Sequence, residues 1–131
     1  MVIDTSAIIA LLLGEPMAAA IERALDDDDV LRVAAPTRAE MGIVIHGKRG
    51  DRGVLTLRRL LDELDIIDVP FDRSLADAAA DAYTVWGKGN HPARLNMGDC
   101  FTYAVAKRTG EPILCVGNDF AQTDVDVVPL G

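Results

Sequence analysis

Val2-Ile3-Asp4-Thr5-Ser6-Ala7 decides the reading of this chain: two β-branched apolar residues, an aspartate, two hydroxyl residues, then an apolar run that continues to Leu13. β-Branched residues suit a buried strand, while Asp, Thr and Ser suit the residue that opens a helix. The stretch predicts a short buried strand running into a helix, with Asp4 at the junction. Working outward, Gly14-Glu15-Pro16 interrupts that helix, and Pro16 suits the start of a second one over about residues 17–25. Val30 to Ala35 reads as the second strand, and Pro36 opens a helix to about Lys48. Gly50, Asp51 and Gly53 mark a turn before an amphipathic helix bearing Leu55, Leu57, Leu60, Leu61 and Leu64. Ile66-Ile67-Asp68-Val69 is a third strand, stopped by Pro70. Asp72 caps a helix whose face carries Leu75, Ala79, Ala82 and Trp86. A glycine-bearing loop, Gly87 to Gly98, leads to a last helix beginning near Asp99, and Ile113 to Val116 and Val125 to Val128 complete the strands.

Strands separated by helices need crossover connections, so the expected architecture is α/β: a three-layer α/β/α sandwich around a central parallel sheet. Its 131 residues fit one domain, residues 1–131, with no repeat or linker inside. Half of the residues are apolar, enough for a packed core. The start lacks a basic leader, and Ala7 to Leu13 is far short of the roughly 20 apolar residues that span a bilayer. The expectation is a cytoplasmic protein with no membrane contact. Cys100 and Cys115 belong to no Cys-x-x-Cys pair, which excludes a disulfide framework or a complete zinc site and leaves two buried thiols. The net charge of −8 opposes binding to a polyanion through Lys and Arg alone, but bound divalent cations would reverse the local field.

In parallel α/β folds, ligands sit beyond the carboxyl ends of the strands, where the strand order reverses. Asp4 falls there directly after the first strand. Ser6 either caps the following helix or helps to hold a metal-associated water. Glu40 has Thr37, Ile43 and Val44 one turn away, and a carboxylate on so apolar a face needs a partner or a cation unless it sits at the solvated edge. Asp99 taken alone reads as an ordinary helix cap, and Asp119 after the strand at Ile113 as a turn residue with Asn118. Lys88, His91 and Arg94 form a basic cluster just ahead of Asp99, suited to RNA phosphates or simply to an exposed loop. His46 sits where a histidine meets a helix dipole, and the Asp26 to Asp29 run reads as a solvated loop.

The ordered set of segments resembles the PIN domain and, at family level, the VapC toxins of bacterial toxin–antitoxin pairs. The matching stretches are Val2-Ile3-Asp4-Thr5-Ser6-Ala7, Ala39-Glu40, Leu95-Asn96-Met97-Gly98-Asp99-Cys100-Phe101 and Gly117-Asn118-Asp119-Phe120. The resemblance implies a metal-dependent endoribonuclease in which Asp4, Glu40, Asp99 and Asp119 bind Mg²⁺ or Mn²⁺. Ser6, His91 and Arg94 would then contact substrate or water. It also implies a homodimer, an RNA substrate and a VapB-type antitoxin partner. An arginine of that partner would enter the acidic crevice, and an amphipathic segment would lie across Ile8, Leu11 and Leu12. One departure is Gly117, where many relatives carry an acid. It puts the fourth ligand between Asp119, Asn118 and Asp124, and it supports the competing reading of an inactive PIN-like protein- or RNA-binding module.

Other strand-end chemistries fit less well. A haloacid-dehalogenase-type phosphatase needs a second aspartate where Ser6 stands, and a phosphate receiver needs a phosphoaccepting aspartate where the third strand meets Pro70. P-loop, dinucleotide-binding and nucleophile-elbow motifs do not occur in the chain.

Overall fold

The computed structural model describes residues 1–131. Four short strands form one parallel sheet in the order β3-β2-β1-β4. They are β1 (Val2–Ile3), β2 (Arg32–Ala34), β3 (Ile67–Val69) and β4 (Ile113–Leu114). Val2 aligns with Arg32 on one side and Ile113 on the other, and Arg32 with Ile67. The chain therefore adds strands in one direction from β1 to β3, then crosses back to place β4 on the far side of β1. That reversal lies between β1 and β4, so the segments after these two strands flank the switch point.

The helices are α1 (Thr5–Leu12), α2 (Ala18–Asp26), α3 (Ala35–Glu63), α4 (Arg73–Trp86) and α5 (Met97–Thr109). Alternation along the strands sorts the core into two apolar layers. Ile3, Val33 and Leu114 point to the layer that holds Ile8 and Ile21 from α1 and α2, and Met41, Ile45, Leu57 and Leu61 from α3. Val2, Ala34, Ile113 and Cys115 point to the opposite layer, with Leu75 and Ala79 from α4 and Cys100, Ala104 and Val105 from α5. This is the expected α/β/α sandwich.

Three boundaries differ from the sequence reading. The turn expected at Gly50 to Gly53 is a single-residue break: Gly50 has φ 65° and ψ −157°, and helix resumes directly after it. A side chain is disfavoured at that φ, which is why glycine stands there. The last helix starts at Met97 rather than near Asp99. Val125 to Val128 is not a fifth strand: Val127 makes one isolated parallel bridge to Ile113, and Pro129, which has no N–H, follows at once.

Candidate active site

Asp4 is the N-cap of α1 as well as the strand-end aspartate, a capping role expected instead of Thr5 or Ser6. It is only 4% exposed. Its Oδ2 accepts from the Ser6 amide at 3.1 Å and the Ser6 hydroxyl at 2.7 Å, while Oδ1 accepts from the Thr102 hydroxyl at 3.0 Å. Burial raises its pKa above the ordinary carboxylate value, and these hydrogen bonds oppose the shift. Ser6 also reaches across the sheet, where its Oγ accepts from the Val116 amide at 3.0 Å and ties α1 to the segment after β4. Ser6 thus fastens the aspartate to the segment after β4.

Glu40 comes from the first limb of α3 and finds the partner that its apolar face demanded. The Thr5 hydroxyl donates to its Oε1. Gly98 lies against the same carboxylate, so close that an added Cβ would stand 2.7 Å from Cδ of Glu40. Asp99 is the third residue of α5, in a capping box with Asn96. The Asp99 amide donates to Asn96 Oδ1 at 2.8 Å, and the Asn96 amide donates to Asp99 Oδ2 at 3.0 Å. The cap role is therefore real and belongs to the pair, while Oδ1 of Asp99 stays free of protein donors.

Asp99 also reports on its neighbours. Its pKa is pushed up to about 7, first by desolvation and then by the charges of Asp4, Asp119 and Glu40. The buried Cys115 thiol is pushed up to about 12 by desolvation and by Asp4, Asp99 and Asp119. Four carboxylates from four segments thus share one electrostatic neighbourhood at the strand ends. No Lys, Arg or His forms an ion pair with any of them; the ion pairs of the chain lie elsewhere.

Of the candidates for the fourth position, one is engaged elsewhere. Asp124 is committed: it accepts from the Tyr103 hydroxyl at 2.5 Å and from Lys107 Nζ at 3.0 Å. Asn118 is exposed. Asp119 remains, its carboxylate felt by Asp99 and Cys115. Gly117, at φ 100°, adopts a backbone conformation that an acidic side chain would strain.

The loop cations differ in their surroundings. His91 packs edge-on against Trp86 with ring centroids 4.7 Å apart, and its Nδ1 accepts from the Ala93 amide at 2.9 Å, so this ring shapes the loop. Arg94 and Lys88 are exposed, and Arg94 holds φ 57°. His46 lies beside the Gly50 break, with Nε2 3.1 Å from Asp51 Oδ1. Of the three residues expected to line a groove, Ile8 is fully buried and cannot, whereas half-buried Leu11 and Leu12 line one with Leu60 and Leu64; Ile43 and Leu55 are exposed beside a second cavity, of about 930 Å³, between the two limbs of α3. Gly98, Thr5 and Thr102 were missed as functional residues. Thr5 stands next to Asp4, but nothing in the sequence connected Thr102 or Gly98 with residues about 60 to 100 positions away.

The donor set fits a hard divalent cation, since it is all oxygen, crowded with negative charge and unneutralised by protein. It is not a closed cage: no three acidic, histidine or cysteine side chains converge tightly enough to surround an ion by themselves. Asp4, Glu40 and Asp99 are each held by a hydroxyl or amide donor of the protein. Mg²⁺ tolerates that arrangement, because it is commonly held through one or two carboxylates and keeps several waters.

A parallel α/β sandwich with an acidic, all-oxygen crevice at its switch point defines the class. A model of the PIN domain family matches residues 1–126. Ribonuclease VapC of Mycolicibacterium smegmatis is 44% identical over 98% of this chain and 99% of its own length. The chain belongs to the PIN-domain family, among the VapC ribonucleases. Solved structures agree on the fold. VapC20 of Mycobacterium tuberculosis, described as a Sarcin-Ricin loop cleaving toxin, superposes with TM-score 0.81 at 15% identity, covering 97% of each chain. A chain of a toxin–antitoxin complex from Klebsiella pneumoniae superposes with TM-score 0.75 at 17% identity, covering 99% of this chain and 97% of its own.

Proposed function

We propose that this protein is a Mg²⁺-dependent endoribonuclease, with Mn²⁺ able to substitute, and the toxin of a two-protein pair. The observation that carries the reading is the shared field of Asp4, Glu40, Asp99 and Asp119 with no protein cation paired to it. When bound, a divalent cation supplies Lewis acidity, lowering the pKa of a nearby water and neutralising charge on the phosphodiester. Asp4 and Glu40, fixed by Ser6, Thr102 and Thr5, hold negative oxygens at defined positions. Asp99 keeps Oδ1 free of protein donors, an oxygen available to a cation or to a water held beside it. The water adds to phosphorus and gives up a proton to solvent, the P–O3′ bond breaks and the departing 3′ oxygen takes up a proton from solvent, giving a 5′-phosphate and a 3′-hydroxyl.

The test is cleavage of RNA by purified wild type, Asp4→Asn and Asp99→Asn. Each substitution keeps shape and removes a charge, so the mutants should stay folded and lose cleavage by at least about 100-fold. EDTA should silence wild type, and added Mg²⁺ should restore it. A folded Asp4→Asn or Asp99→Asn protein that cut RNA like wild type would remove that residue from the site. A wild type that bound RNA without cutting it in Mg²⁺ would favour the non-catalytic binding module suggested by Gly117.

The relatives support an antitoxin partner, and this chain's chemistry supplies a route to inhibition. An arginine from a VapB-type antitoxin would bridge the crevice carboxylates with its planar guanidinium, displacing metal and RNA together. The partner's apolar segment has two surfaces open to it, the groove at Leu11 and Leu12 and the cavity beside exposed Ile43 and Leu55, while buried Ile8 is out of reach. The working form is a homodimer in the cytoplasm; no helix is long and apolar enough to cross a membrane. Light scattering of the purified chain tests the dimer. Co-purification with the product of an adjacent reading frame, followed by cleavage assays, tests the blockade.

A further inference from the structure

We propose that Gly98 is a positioning residue: its missing side chain leaves the place that the Glu40 carboxylate occupies against the first turn of α5. Gly98 is buried, second in the helix, and its backbone lies outside the positive-φ region that would itself call for glycine. What requires glycine is a neighbour. A Cβ at this position would lie 2.7 Å from Glu40 Cδ and 2.9 Å from Oε1, with Oε2 nearer still. On another side the Thr5 hydroxyl donates to Oε1, so the carboxylate is pinned between a donor and a bare backbone.

The atoms in conflict are the far end of a flexible side chain. A methyl group at 98 is therefore accommodated by swinging the carboxylate away, with no need to move α5 or the sheet. Alanine is also the better helix former, because glycine gives up more backbone entropy on folding. Helix propensity favours alanine here and the Glu40 carboxylate favours glycine. This inference rests on the reading of Glu40 as a metal-binding carboxylate, and it names the residue that holds that group in register with Asp99 next door.

The experiment compares Gly98→Ala with wild type in the full chain. In EDTA, the unfolding temperature should be unchanged or a few degrees higher. The Mn²⁺ dissociation constant, read from free Mn²⁺ by electron paramagnetic resonance, should rise at least tenfold. The kcat for RNA should fall with KM nearly constant. In a Glu40→Ala background the same substitution should add nothing, since the effect travels through that carboxylate. A metal-free crystal structure of Gly98→Ala should show Glu40 displaced from Thr5. Wild-type Mn²⁺ affinity in Gly98→Ala, an undiminished effect in Glu40→Ala, or Glu40 unmoved in the crystal would each overturn the proposal. If wild type failed to bind Mn²⁺ while the crystal showed the displacement, the metal reading would fall and the positioning role would stand.

Discussion

Asp99 and Asp4 sit where burial disfavours a charged carboxylate, and their raised pKa values have a thermodynamic consequence. The metal-free native state keeps a proton on Asp99 up to about pH 7, whereas the unfolded chain releases it near the ordinary value of 3.8. Protonation of Asp99 thus supports the fold fully below pH 3.8, and that support is lost as pH rises through about 7. Asp4 shifts in the same direction. Asp28, Asp72, Glu111 and Asp124 have lowered values, so their contributions are already complete above the ordinary carboxylate range and do not change between about pH 5 and pH 8. Unfolding temperatures in EDTA should fall from about pH 5 to pH 8, and Asp99→Asn should flatten the dependence. A wild-type protein equally stable at both would show that the carboxylates are not crowded. Thr102 gives a second test at this scale. Thr102→Val keeps the shape but takes the donor from Asp4 Oδ1 inside a buried site, which should destabilise the fold by about 1 to 3 kcal/mol in urea titration. Thr102→Ser should recover most of that loss.

At the scale of elements, each catalytic candidate is delivered by an end or a flank of regular structure, and this is what made some of them readable. The β-branched pair before Asp4 announced a strand, and Pro36 announced the helix that carries Glu40. Asp99 was legible as a helix-start residue, but the cap itself is Asn96, which read as loop. Local pattern does not distinguish the N-cap from the third residue when both carry side-chain oxygens. The alternation Val125 to Val128 read as a strand for the same reason: pattern was present, but Pro129 and one bridge left nothing to extend. The Thr5–Glu40, Thr102–Asp4 and Gly98–Glu40 contacts were illegible because they join residues brought together only by the crossovers. Asn96→Ala should remove the side-chain half of the capping box and cost about 1 kcal/mol of stability. Because the same box aims Asp99, kcat should fall as well. Asn96→Ser should restore both, and stability loss without loss of kcat would separate the cap from the site.

For the whole molecule, the sign of the charge is the unusual feature: a chain of net charge −8 that handles RNA. Of its exposed cations, Lys48, Arg49 and Arg52 flank the Gly50 break and Arg58 and Arg59 follow on the second limb of α3, while Lys88 and Arg94 lie in the loop ahead of Asp99. On the proposed reading the clustered carboxylates bind a cation, which would link folding to metal binding. At 100 times its Kd, Mg²⁺ should stabilise the native protein by about 2.7 kcal/mol, read as an upward shift in unfolding temperature. Asp99→Asn should lose most of this shift. The central claim is that a metal-loaded acidic crevice directs water against the RNA backbone without using the 2′-hydroxyl. Its most direct test is the chemistry of the cut ends, mapped on RNA cleaved by purified protein in Mg²⁺. A 5′-phosphate and a 3′-hydroxyl, formed in Mg²⁺ and absent in EDTA, is the expected result. A 2′,3′-cyclic phosphate, or cleavage that persists in EDTA, would contradict it.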